Sequence, residues 1–155
     1  MKKYMMLVPY ILIFGVIVLM AYIRLAPSDS AVWHQDPETA ASTGKPNEYR
    51  LTGDLAPIFN IAAPDLATLV DELIEAQPRV ARIAGNPSTL MITFLQRSMS
   101  VGYPDYITFK ISPMDEGRSK LEILSRSRFG HSDLGVNKLR VEQWVGLIRG
   151  LVVGR

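Results

Sequence analysis

Tyr106-Ile-Thr-Phe-Lys-Ile-Ser112, then Pro113-Met-Asp-Glu-Gly117, then Lys120-Leu-Glu-Ile-Leu-Ser-Arg-Ser-Arg128: this stretch decides the fold. Ile107, Phe109 and Ile111 alternate with Tyr106, Thr108 and Lys110, the period-two pattern of a strand whose sheet is covered on one face. Pro113–Gly117 reads as a hairpin turn, and Lys120–Arg128 as the returning strand. Upstream, Ser88–Gln96 places Leu90, Ile92 and Phe94 on one face. Before it, Arg79–Ala84 is a weaker strand that ends in the turn signal Gly85-Asn86-Pro87. Strands joined by turns this short form an antiparallel meander.

Two helices flank the meander. Leu66, Leu69, Val70, Leu73 and Ile74 recur at helical spacing from Pro64-Asp65 to about Ala76, with Asp65 able to cap the first turn and Pro78 just beyond the end. Val141, Trp144, Val145, Ile148, Leu151 and Val152 form the stripe of a helix from about Asn137, a natural N-cap, to Val152. Glu48–Thr52 opens the domain as a short strand and is followed by Pro57–Ile61. The expected class is α+β. It is a two-layer domain (48–155) with an antiparallel sheet of about four to five strands and two helices on one face.

Met5–Ile23 is nineteen residues without a charge, preceded by Lys2-Lys3 and followed by Arg24. At about 1.5 Å per residue it matches a hydrocarbon core of about 30 Å. Residues 1–24 are therefore expected to form a transmembrane anchor. The lysines and terminal amine outweigh Arg24, which keeps the N-terminus in the cytoplasm and puts the domain in the periplasm or its equivalent. A cleaved signal peptide has a shorter apolar region and a small-residue cleavage site, whereas Leu25-Ala26-Pro27 is a poor one. Residues 25–47, with three prolines and many small polar residues, read as a linker docking on lipid or on the domain. Trp33 suits a membrane interface, and His34 and Asp36 lack a third ligand nearby for a metal.

The net charge of +2 gives no argument for nucleic-acid binding. The absence of cysteine excludes disulfides, thiolate zinc sites, thiol chemistry and a lipidated N-terminal cysteine. No phosphate-loop, dinucleotide or zinc-protease motif is present, so no cofactor or metal is expected. Charge is uneven: residues 48–116 carry five basic and nine acidic groups, and residues 117–149 seven and three. The acidic half owes much to Asp71, Glu72 and Glu75 on one helix face.

The chemistry concentrates in Ser125-Arg-Ser-Arg-Phe-Gly130-His-Ser-Asp-Leu-Gly135-Val-Asn-Lys-Leu-Arg140, at the junction of the last strand and last helix. Arg126 and Arg128 project together from one strand face, and Arg140 lies one turn into the helix. With Ser132, these arginines are the candidate ligand-binding residues, suited to a carboxylate or phosphate. Ser125, Ser127, Gly130, Asp133, Gly135 and Asn137 are the candidate builders of the corner. Amides exposed at a helix N-terminus suit an anion too, while internal salt bridges are the alternative use of the arginines. His131, Ser132 and Asp133 are adjacent in sequence, which does not arrange nucleophile, base and orienter in a line, so no catalytic residue is assigned.

This stretch resembles the hallmark of the uncharacterised family known as domain of unknown function 1499, S-x-S-R-x-G-x-S-D-x-G-x-N-x-x-R. Ser125, Ser127, Arg128, Gly130, Ser132, Asp133, Gly135, Asn137 and Arg140 fall in register with it. The likeness spans about residues 24–150. It includes Pro104–Phe109, where many members have two consecutive acids and this chain has only Asp105. Residues 24–37 look like the membrane-anchored proteobacterial branch. His131 occupies a variable position of the hallmark. The family has no established activity, so the resemblance implies kin and not chemistry. The reading that results is an inner-membrane protein whose domain binds an envelope component or protein partner through the Ser125–Arg140 corner. A purely structural or assembly role is the alternative, and a hydrolase would need a serine beside His131 or His34.

Overall fold

The computed structural model describes residues 2–154, and side chains from residue 7 onward. Met1 and Arg155, the outer limits of the expected anchor and domain, lie outside the described residues, as do the Lys2, Lys3 and Met5 side chains. The chain runs α1 (Lys2–Leu25), α2 (Ser30–Trp33), β1 (Glu48–Leu51), β2 (Ile58–Phe59), α3 (Ala63–Glu75), β3 (Val80–Asn86), β4 (Met91–Arg97), β5 (Pro104–Pro113), β6 (Ser119–Ser127) and α4 (Val136–Val153).

The strands form one antiparallel sheet in the order β1-β6-β5-β4-β3, with the two-residue β2 paired to the start of β6. The meander is therefore as expected, and β2 brings the strand count to six. The β5–β6 hairpin pairs Pro113 with Ser119 and Tyr106 with Arg126. β4 begins later than Ser88 because Asn86 makes a capping box over Pro87–Thr89, a short 3-10 turn. Leu90 follows in the left-handed region, still packed against the core beside Ile92 and Phe94.

Both long domain helices cover one face. Leu66, Leu69, Val70 and Ile74 of α3 meet Val141, Trp144, Val145 and Ile148 of α4 over Ile107, Phe109, Ile111, Leu121 and Ile123 of the hairpin. The alternating residues of β5 and β6 thus bury their apolar set here, which is where the hydrophobic effect drives the fold. Asp65 lies in the first turn of α3 but makes no cap; Ala62 holds that position.

The second face is occupied as well. Residues 26–40, short of regular structure apart from α2, run across it as a strap. Of the two surfaces foreseen for this segment, lipid and the domain, it uses the domain. Trp33 stacks on Tyr106 at 3.8 Å between ring centroids, and the Arg126 guanidinium lies 5.0 Å from the Trp33 ring. His34 Nδ1 is 2.8 Å from Thr93 Oγ1, and Lys110 Nζ is 2.6 Å from Asp36 Oδ2. Arg50 donates from Nη1 to the Pro37 and Ala40 carbonyls, both at 2.8 Å. Beneath the strap Glu122 is fully buried, 3.0 Å from Lys120 Nζ as an ion pair without an aligned hydrogen bond.

α1 is long and apolar enough over Leu7–Leu25 to cross a membrane, and 6% of that span is buried. Its end belongs to the domain: Ile23 and, just past the last turn, Ala26 are buried, and Arg24 Nε donates to the Val101 carbonyl at 3.0 Å.

Candidate functional site

β6 delivers Ser125 and Ser127 toward the helices, and Arg126 toward the strap. The chain then leaves through Arg128-Phe129-Gly130, with Gly130 at φ +87°, and re-enters as α4 after Leu134 and Gly135, both at positive φ. Asp133 shapes this entry: Oδ1 accepts from the Gly135 amide at 3.0 Å and Oδ2 from the Asn137 amide at 2.7 Å. A carboxylate at this end of α4 also faces the positive end of the helix dipole. Ser132 Oγ accepts from the Leu134 amide at 3.2 Å. The residue at the N-cap position of α4 is Gly135, without a side-chain bond, so the expected cap at Asn137 is corrected.

Asn137 sits one residue into the helix, almost wholly buried, and every valence of its amide is used. Oδ1 accepts from the Ser125 hydroxyl and, at 2.8 Å, from Arg140 Nη1. Nδ2 donates at 3.0 Å to both the Asn47 carbonyl and Ser127 Oγ. Asn47 in turn donates from Nδ2 to the Gly130 carbonyl at 2.8 Å, tying the corner to the residue before β1. Arg140 Nη2 reaches Asp105 Oδ2 at 2.6 Å, both side chains about nine-tenths covered. Sequence spacing gave no sign of Asn47, whose link to Asn137 crosses ninety positions.

The candidate ligand residues separate. Arg140 is turned inward onto Asp105. Arg126 is buried beneath the strap, donating to the Val32 and Trp33 carbonyls and Gln35 Oε1 at 3.3–3.4 Å. Arg128 is half-buried, donates to the Pro27 carbonyl and lies 5.3 Å over the Phe129 ring. Ser132 is exposed. His131 is exposed, and His34 meets Thr93; neither histidine makes a hydrogen bond to a serine among the described residues. Among these residues no group of three or more His, Asp or Glu is arranged for a metal.

A cleft of about 490 Å³ opens between the corner and the end of α1. Leu19, Tyr22 and Ile23 form one wall, and Ser127, Gly130, Ser132 and Asp133 the other. Phe129 and Tyr103 stand at its side, their rings 6.2 Å apart, with Tyr22 edge-on to Phe129 at 6.0 Å. The lining is mainly apolar with a few polar groups on the corner side, a composition suited to an amphipathic molecule. The aromatic wall carries no periodicity in the sequence, because its members come from three separate segments.

An antiparallel sheet with two helices on one face and a glycine-bounded polar corner defines the class. The chain belongs to the protein family of unknown function DUF1499, whose match covers residues 32–148. No curated protein matches the chain. Among solved structures, the di-domain ARO/CYC BexL from the BE-7585A biosynthetic pathway is similar at 14% identity and a TM-score of 0.43. The similarity covers 68% of this chain and 44% of that one, so the chain spans less than half of its length.

Proposed function

We propose that this is a single-pass inner-membrane protein whose extracytoplasmic domain binds an amphipathic envelope component in the cleft between anchor and corner. Lys2-Lys3 before the span, against Arg24 alone after it, support a cytoplasmic N-terminus. Retention of the anchor is supported by Ile23 and Ala26, which are buried on the domain. The observation that carries the binding reading is the double wall of the cleft. One wall belongs to the membrane-spanning helix, and the other carries hallmark residues. An apolar chain would lie against Leu19, Ile23, Phe129 and Val136, with its polar part toward Ser127, Ser132 and Asp133. Arg128 stands beside the opening and Arg126 and Arg140 support the frame.

The test is mass spectrometry of small molecules co-purifying with the full chain from its membranes, compared with Val136→Trp. Val136 is exposed on the cleft wall, so the indole fills the cleft with little effect on the core. The proposal expects a bound amphiphile in the wild type and its loss in the variant with the circular-dichroism spectrum of the fold unchanged. An identical bound set in both would remove it. A second reading, that the corner only closes the fold, is favoured by the internal partners of Arg126, Arg128 and Arg140, and that outcome would support it.

A further inference from the structure

Around the emerging anchor the domain exposes apolar side chains that nothing in the fold covers. Leu134 is 94% exposed, Met99 81% and Leu139 68%. Leu134 stands out further because its φ is +57°, a left-handed conformation that a leucine side chain disfavours. A leucine held in that conformation and fully in water carries two costs at once, and an unusual backbone of this kind points to a use. Met99, Leu134, Val136 and Leu139 border one shallow depression. Val136 also lines the cleft with Leu19, Tyr22 and Ile23, so this surface is continuous with the last turns of the span.

Three arginines frame the same end. Arg24, Arg79 and Arg97 border a neighbouring depression with Met99. Their side chains donate to main-chain carbonyls: Arg24 to Val101, Arg79 to Arg97 and Arg97 to Gly102. None of the three pairs with a described carboxylate. Free cations ringed around exposed apolar tips are the composition of a surface that dips into phospholipid: aliphatic groups enter the interface and guanidinium groups meet phosphates.

We propose that this end of the domain is a membrane-docking face. Met99, Leu134 and Leu139 enter the interfacial zone of the leaflet from which α1 emerges, and Arg24, Arg79 and Arg97 hold its phosphates. The occupant is the phospholipid bilayer, because the surface begins where the transmembrane segment ends. The face rests on the proposed anchor, but is a separate claim from the occupancy of the cleft. It sets the domain flush on the membrane, with the β5–β6 turn pointing away: β5 starts beside this end, and its ten residues run about 30 Å from it.

The cysteine-free chain permits a direct test. Full-length Met99→Cys, Leu134→Cys and Leu139→Cys proteins, each spin-labelled, are placed in phospholipid nanodiscs. Collisions with oxygen and with a water-soluble nickel complex then report depth. Phe14→Cys in the span and Asp115→Cys at the hairpin turn are the references. The inference expects the three sites to be oxygen-accessible and at least several-fold shielded from nickel relative to Asp115→Cys. Replacing Arg79 and Arg97 by Gln should make the labels shallower, and more so in anionic than in zwitterionic discs. Three labels as wet as the one at position 115, with position 14 deep in lipid, would overturn the docking face and leave the anchor standing. A wet label at position 14 would overturn the anchor and the face together. Labels shielded from both reagents would mean a protein covers the surface, which also overturns it.

Discussion

Asn137 shows how one side chain can close a fold. Its amide is saturated by Ser125, Arg140, Ser127 and the Asn47 carbonyl, all in a buried setting where an unmet donor or acceptor costs about 1–3 kcal/mol. Asn137→Ala should therefore lower stability by about 3 kcal/mol in denaturant titrations of the micelle-bound protein. Asn137→Asp should also destabilise, since it replaces two donors by acceptors. A loss below about 0.5 kcal/mol for the alanine variant, the range of ordinary surface changes, would contradict this role. Arg140 and Asp105 form the second residue-scale test. Removing one partner of a buried ion pair costs about 3–5 kcal/mol. Arg140→Met alone should cost more than the Arg140→Met, Asp105→Asn double variant, as read by a double-mutant cycle completed with Asp105→Asn. The sequence displays these residues as a dense polar cluster but hides their division of labour. Asp133, not Asn137, bonds the first amides of α4, because the chain needs one more left-handed residue before the helix begins.

At the scale of elements, the strap is the feature that composition reads least well. Three prolines and small polar residues announce irregular backbone, and the strap is irregular. Apart from Arg50, what holds it is a set of partners more than fifty positions away, Thr93, Tyr106, Lys110 and Arg126, which no local pattern reveals. The meander was legible because alternation is local and β5–β6 has a five-residue turn signal. The strap's chemistry makes it sensitive to acid. Burial holds the His34 imidazole below its ordinary value of 6.5, favouring the neutral ring. The stability this site lends docking is thus complete above that value, and declines as pH falls from about 6.5 through the lowered value in the docked state. For Asp36, burial is the largest single influence and works the other way, but the Lys110 hydrogen bond and charge together with the Glu38 and Thr39 amides outweigh it and lower the pKa, so that contribution holds until pH falls below about 3.8. In a Trp144→Phe protein, Trp33 is the only indole. Its fluorescence should change in two steps on acidification, the upper one below pH 6.5. His34→Gln should abolish the upper step alone; a flat profile down to pH 4 would show that His34 does not govern the strap.

At the scale of the whole molecule, the sheet is sandwiched between two helices on one face and the strap on the other, and the end of α1 packs where β5 starts and β6 finishes. Length and the absence of charge made the apolar segment legible as a helix long enough to span a membrane. Its packing on the hallmark corner was not, since Tyr22, Ile23, Tyr103 and Phe129 carry no shared periodicity. This joint is what the binding and membrane-docking proposals both require: without it there is no cleft and no fixed membrane-facing end. The most direct measurement is cross-linking of a Tyr22→Cys, Phe129→Cys chain in native membranes with a short bis-maleimide, mapped by mass spectrometry. The two rings stand 6.0 Å apart, so an efficient link within one chain is expected, while a Tyr22→Cys, Asp115→Cys control should give none. Absence of the 22–129 link, or equal yields in the two pairs, would contradict a domain seated on the end of its own anchor.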